Sequence, residues 1–515
     1  MKKTIILFSL SALILSVGCS RKEEQIALTE YSSGPILKQK SNPVNAPEGE
    51  AFSKSKLDAF VLQTLESQND FRWEKMDLKT LWSAAQYGDQ SVAIGYKPSN
   101  TGDISQSIHT IDIQSKPWKD VHDAIIETIL NELNKTAINP VKWTDILIED
   151  DQTLPILTIR LTDKNTFTLL YNLENVRYIE PLDYWPDNVE RSSSGCSAAT
   201  ASVNASDWTT LTPGCKLPWN YNNVNIPNAW NIAQGQGVTV GIIDAGISSS
   251  QFFLSTLFSS GYSNNGRTLT TDYTYGTGAY TSCTHGTSMS GLAVGPRNSG
   301  NATTGVAYKS NLHFIRACED VVLDASSEKT AVKNALIKMG NKTDVKIVSM
   351  SIGTPFSSSV LLDGVNYANN KGKLIFAAAG TSFSWTSWWG VIYPAAYSAC
   401  VAVTGVQENG NTCETCHDGS EVMFTIPMER NSNTDRNSLS LPATGSNPTY
   451  IGGSSCATAM SAGIAALVWS AKPSLTKNQV FTILRNTSQN YPSFDNDHGY
   501  GNLNAGAAVN SALSY

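Results

Sequence analysis

Three polar groups stand where apolar elements end, and each is of a type used in acid–base or nucleophilic chemistry. Asp244 closes the run Gly237-Val-Thr-Val-Gly-Ile-Ile-Asp244. A strand this apolar is buried, and a carboxylate at its end needs a partner to offset its desolvation. Such a group suits the orientation of an imidazole; taken alone it reads first as a helix cap or a turn residue. His285 opens Thr284-His285-Gly286-Thr287-Ser-Met-Ser-Gly291, whose small residues let a helix pack closely on a sheet. Ser455 lies in Gly452-Gly453-Ser454-Ser455-Cys456-Ala457-Thr458, ahead of an Ala-rich helix that Pro473 stops. A serine there gains from the positive end of the helix dipole, and its own free N–H can stabilise an oxyanion.

These groups need a rigid scaffold, and the surrounding pattern supplies one. Short apolar runs at 238–243, 345–352, 374–379 and 400–403 are bounded by Gly, Asn or Lys. Helical patterns fall between them, at 327–339 and 360–369. Buried strands alternating with helices predict an α/β domain with a mostly parallel sheet over 218–515. Residues 51–187 differ. Val121, Ile125, Ile129 and Leu133 recur at helical spacing, and 156–161 and 176–181 read as strands. That is a small α+β domain with an open sheet. Residues 188–217, rich in Ser, Gly and Ala, read as a linker.

The chain has 515 residues, 41% hydrophobic and 16% charged, which suits a large core and excludes a highly charged disordered chain. Thirty-seven Lys and Arg against 44 Asp and Glu leave a net charge of −7, without the basic footprint of a nucleic-acid binder. Lys2-Lys3 and the uncharged apolar stretch 4–17 read as an export signal, too short to span a bilayer comfortably. Leu15-Ser16-Val17-Gly18-Cys19 resembles the lipobox of bacterial lipoproteins, with Ser16 where Leu is usual. The reading is a signal peptide over 1–18, membrane attachment through lipid on Cys19, and a tether over 19–50. An ordinary cleaved secretory signal is the alternative, and both put the protein in the cell envelope or outside the cell. With Cys19 lipidated, eight Cys remain, an even number consistent with disulfides.

Asp, His and Ser in that order, with their neighbours, resemble the subtilisin-like serine peptidases of family S8. Gly241-Ile-Ile-Asp244-Ala-Gly is similar to the family's Asp motif, His285-Gly-Thr-Ser-Met-Ser-Gly291 to its His motif, and Gly453-Ser-Ser455-Cys-Ala-Thr-Ala to its Ser motif. Gly305-Val-Ala-Tyr, Ser349-Met-Ser-Ile-Gly353, Phe376-Ala-Ala-Ala-Gly380, Tyr393-Pro-Ala and Gly499-Tyr-Gly-Asn-Leu-Asn-Ala505 fall in family order, so the likeness covers about 218–515. Val176-Arg-Tyr-Ile-Glu-Pro181 is similar to the end of the I9-type propeptide.

The resemblance implies a three-layer subtilisin-like fold with a mostly parallel central sheet, preceded by an α+β propeptide domain over 51–187. It implies a serine endopeptidase made as a zymogen, with protein or peptide substrates, its own propeptide as intramolecular inhibitor, and processing within 188–217. Ser455 would attack the scissile carbonyl, His285 would take its proton, and Asp244 would orient His285. Thr381 and the Ser455 N–H would face the oxyanion. Ser351, Ile352 and Gly353 would pair with an extended peptide as an added strand. No cofactor is implied for the chemistry. Structural calcium is frequent in the family, but no ligand set maps onto this sequence.

The sequence also departs from the family pattern. Thr381 stands where the family has the Asn that completes the oxyanion hole, and a Thr hydroxyl donates with shorter reach. Ala459 and Met460 replace the usual Pro and His after the nucleophile, and Cys456 is either a free thiol or a disulfide partner. Cys413-Glu-Thr-Cys416-His417 has c-type haem spacing and is read as a local disulfide turn. Trp385, Trp388 and Trp389 are read as packing or as substrate contacts. Thr381 keeps one alternative open: a pseudoprotease acting as a surface binding protein.

Overall fold

The computed structural model describes residues 36–187, 189, 194–196, 202–382 and 390–515. Cys19 and the export signal lie outside the described residues, as do Trp385, Trp388 and Trp389.

Four antiparallel strands, β1 (Ser91–Tyr96), β2 (Leu147–Asp150), β3 (Ile156–Arg160) and β4 (Val176–Pro181), form a sheet in the order β2-β3-β1-β4. Successive side chains in a strand point to opposite faces, and both faces here are covered. Val92, Ile94, Leu157 and Ile159 pack with Val121, Ile125 and Ile129 of the helix Lys116–Asn134. Ala93 and Ile156 face the other way, onto Ile337, Val360 and Tyr367 of the larger domain. The chain from Ile36 is already bound to this domain: Lys40 N–H donates to Asn172 O at 2.7 Å and Val44 N–H to Asn172 Oδ1 at 2.7 Å. The stretch read as a tether is therefore docked over its last part.

The second half of the stretch read as a linker also has a place. Strands β5 (Trp208–Leu211) and β6 (Cys215–Pro218) form a hairpin. Asp207 anchors it, fully buried, accepting from Arg430 Nε at 3.0 Å and Arg436 Nη2 at 2.6 Å. A nine-stranded sheet follows, built from β7 (Thr239–Asp244), β8 (Leu269–Tyr273), β9 (Asn311–Arg316), β10 (Val345–Met350), β11 (Leu374–Ala378), β12 (Val401–Gln407), β13 (Val422–Arg430), β14 (Asn433–Ser440) and β15 (Thr449–Ile451). The order is β15-β14-β13-β12-β11-β10-β7-β9-β8. Pairing is parallel from β8 through β13, and antiparallel only for β14 and β15. The expected α/β class with a mostly parallel sheet is the observed one. Helices lie on both faces: Ser326–Asn341 and Ser359–Asn370 on one, His285–Val294 and Gly453–Ala471 on the other.

The N-terminal sheet sits on the first helix pair. Arg177 grips Asp363 bidentately at 2.9 and 2.6 Å, and Tyr178 OH donates to the same carboxylate at 3.0 Å. Glu180 accepts from Ser359 N–H and Asp183 from Ser326 N–H, so a carboxylate meets the positive end of each helix. Lys333, wholly buried, is paired with Glu149 and Asp151. Removing one partner of a buried ion pair costs about 3–5 kcal/mol, because the other charge stays buried and uncompensated. Asp363→Ala is therefore expected to loosen the N-terminal domain. Limited trypsinolysis should remove that domain sooner in the variant, while the larger domain persists.

Candidate active site

Asp244 is the last residue of β7, at the C-terminal edge of the parallel sheet, and is fully buried. One oxygen accepts from the Ala245 N–H at 2.8 Å. His285 is the first residue of its helix, and its Nδ1 lies 2.9 and 3.0 Å from the two Asp244 oxygens. Nδ1 therefore carries the proton, which leaves Nε2 unprotonated and able to accept one. Burial pulls the His285 pKa down, but the charge and hydrogen bond of Asp244, joined by the charge of Asp320, outweigh it and hold the value above the ordinary 6.5. A base works in its neutral form, so any activity that uses His285 as base is expected to rise with pH through a midpoint above 6.5. Asp320→Asn should shift this acid limb of kcat/KM to lower pH, read from a pH–rate profile.

Ser455 sits in the first turn of Gly453–Ala471, a helix long and apolar enough to cross a membrane but buried here in the core. Among the described residues its Oγ finds Ser351 O, at 3.5 Å, and not His285. The Ser351 hydroxyl returns a bond to Ser455 O at 2.9 Å. Gly453, before it, has φ +77°, and a Cβ there would stand 2.6 Å from Thr381 Oγ1. The glycine thus serves both the turn and the approach of Thr381.

Thr381 is joined to Ser454, a residue that sequence reasoning did not single out. The two hydroxyls lie 3.1 Å apart. Ser454 N–H donates to Thr381 Oγ1 at 3.3 Å, and Gly380 N–H donates to Ser454 Oγ at 3.1 Å. Ser351, Ile352 and Gly353 follow β10 and are buried. Gly353 already has strand partners: its N–H donates to Val321 O at 2.9 Å and its C=O accepts from Leu323 N–H at 2.8 Å.

Two cysteine pairs lie close by. Cys196 is bonded to Cys283, two residues before His285, and Thr284 N–H donates to Cys196 O at 3.3 Å. Cys413 is paired with Cys416. Cys215, Cys318, Cys400 and Cys456 are buried thiols, and burial pushes the Cys456 thiol pKa up, which makes it inert.

A match to the subtilase family, peptidase S8, covers residues 235–502, just over half of the chain. The thermostable alkaline protease of Halalkalibacterium halodurans is 30% identical over 57% of this chain and 73% of its own length. Thermitase of Thermoactinomyces vulgaris is 27% identical over 56% of this chain and 93% of its own. Subtilisin DY of Bacillus licheniformis is 31% identical over 54% of this chain and 92% of its own. All of the larger domain's site elements, from the β7 carboxylate to the Ser455 helix, fall inside the matched region, and the chain belongs to the subtilase family of subtilisin-like serine peptidases.

Proposed function

We propose that the chain is an exported serine endopeptidase made as a zymogen, with Ser455 as nucleophile, His285 as general base and Asp244 as its orienting carboxylate. The observation that carries the reading is the buried Asp244–His285 hydrogen bond, with the tautomer that a base for serine requires. Catalysis asks Ser455 Oγ to leave Ser351 O for His285 Nε2, the kind of tightening that sites without substrate make on binding it. The Ser455 N–H and the Thr381 hydroxyl supply the oxyanion donors. No cofactor enters the chemistry.

Latency has a physical basis in the same contacts. Ser351, Ile352 and Gly353 would offer a strand edge to a peptide, yet Val321 and Leu323 hold the N–H and C=O of Gly353. Substrate would have to displace that pairing. The domain over 51–187 would serve as propeptide, docked through Arg177, Glu180 and Asp183. Lipid on Cys19 would tether the precursor to the envelope. Cleavage after Cys196 would leave both pieces joined through Cys196–Cys283, so the enzyme would stay tethered until reduction.

A fluorophosphonate probe tests the central claim, since only an activated serine reacts fast. Rapid labelling of the purified chain at Ser455, with hydrolysis of an unfolded protein, is the expected result. A protein that neither labels nor hydrolyses, even after its N-terminal domain is removed, would instead be a binding protein on a peptidase fold.

A further inference from the structure

Cys413-Glu-Thr-Cys416-His417 takes no part in the chemistry just described, yet it lies against the strand end that carries Thr381. Cys416 bridges Thr381 in antiparallel register. His417 N–H donates to Gly380 O at 3.0 Å, and Ser382 N–H donates to Thr415 O at 2.6 Å. The His417 ring reaches further. Its Nδ1 donates to Gly390 O at 3.0 Å. The ring also lies so close to Gly380, at φ +126°, that a Cβ there would stand 2.4 Å from Nδ1. One residue therefore holds the backbone on both sides of Thr381. The ring is buried, and burial brings its pKa down to about 4, so it is neutral at working pH. The two sulfurs are joined to each other and Nδ1 is committed to a carbonyl, while the buried Nε2 has no hydrogen-bond partner among the described residues.

We propose that His417, carried on the Cys413–Cys416 turn, is a positioning residue for hydrolysis: it clamps Gly380 and Gly390 so that the Thr381 hydroxyl meets the developing oxyanion. The proposal rests on the reading of Thr381 as an oxyanion donor. Its logic is geometric. A donor that must meet charge appearing only in the transition state has to be in place beforehand, and a shift of about 1 Å costs on the order of 100-fold. Thr381 is short, so its hydroxyl goes where the backbone of Gly380–Ser382 puts it. Ser454 holds that backbone through the Gly380 N–H, and the 413–417 turn holds it through Gly380 O, the Ser382 N–H and the Thr381–Cys416 bridge.

The test measures kcat and KM on a peptide substrate for His417→Ala, His417→Asn and the pair Cys413→Ser/Cys416→Ser, each alone and with Thr381→Val. The expected result is a kcat about 10- to 100-fold lower for His417→Ala with KM little changed. His417→Asn, whose amide N–H can still meet Gly390 O, should recover most of it. In the Thr381→Val background His417→Ala should lose nothing more, because the donor it positions is already gone. A wild-type kcat in His417→Ala, or an equal further loss on top of Thr381→Val, overturns the proposal. If His417→Ala does not fold, the double cysteine variant carries the same test with the same outcomes. Should Thr381→Val itself keep wild-type kcat, the proposal falls with the oxyanion reading, which that single variant identifies as the fault.

Discussion

Ser455→Ala is expected to remain at full length where the wild-type chain is cut between residues 188 and 217. Removing the nucleophile of a triad of this kind costs on the order of 10⁶ in kcat. From a typical ~10 s⁻¹, that leaves on the order of one turnover per day, and an intramolecular cut that normally accompanies folding would not be seen. The substitution should spare the fold, because among the described residues Ser455 Oγ has only Ser351 O within reach, at 3.5 Å. Intact mass and N-terminal sequencing read the outcome. The same samples, run with and without reductant, locate the cut relative to Cys196. Under denaturing conditions a cut after it leaves one species until the disulfide to Cys283 is reduced, whereas a cut before it gives two pieces without reductant. Equal cleavage in the alanine variant would assign processing to another peptidase and remove self-cleavage as support for the triad.

Much of the scaffold can be read from the residues because parallel strands buried on both faces appear as short apolar runs. The runs at 345–352 and 374–379 became β10 and β11 almost residue for residue. The stripe of Val121, Ile125 and Ile129 became the buried face of a helix. Polar strands escaped for the converse reason. Asn433–Ser440 pairs only antiparallel near the sheet edge, and its residues carry no apolar signal. Ser91–Tyr96 is buried throughout, because a second domain covers its outer face, so it shows no alternation. The site divides in the same way. Asp244, His285 and Ser455 each stand at the edge of an apolar element and become legible together, from their order and their neighbours. Thr381 and Ser454 are 73 residues apart, and Gly353 meets Val321 only because two loops fold onto each other. No periodicity encodes such contacts. His417 was visible as part of a spacing, but its work is done on Gly380 and Gly390, which the spacing does not mention.

Thr381→Val is expected to lower kcat and kcat/KM together, by about 100- to 1000-fold, the usual loss when one oxyanion donor is removed. Both should fall equally, because the contact exists only in the transition state. The expectation follows from counting protons. Ser454 Oγ is already an acceptor for Gly380 N–H, and Thr381 Oγ1 is an acceptor for Ser454 N–H. The two hydroxyls carry two protons, and the bond between them uses one. With Ser454 as the donor in that bond, the Thr381 proton is left for the oxyanion proposed to form beside the Ser455 N–H. Valine is nearly the same shape and removes one of the two hydroxyls, so packing is kept while the pair is broken. Thr381→Asn should do the opposite. Its carbonyl can accept from Ser454 N–H in place of the hydroxyl, and its amide presents two N–H donors with longer reach. Activity at or above wild type is therefore expected for Asn. A Val variant as active as wild type would mean that the Thr381 hydroxyl is not an oxyanion donor. An inactive Asn variant would mean that the cleft is shaped around the shorter side chain and the Ser454 hydroxyl beneath it. Steady-state kinetics on one peptide, with thermal unfolding midpoints to confirm equal folding, separates these outcomes.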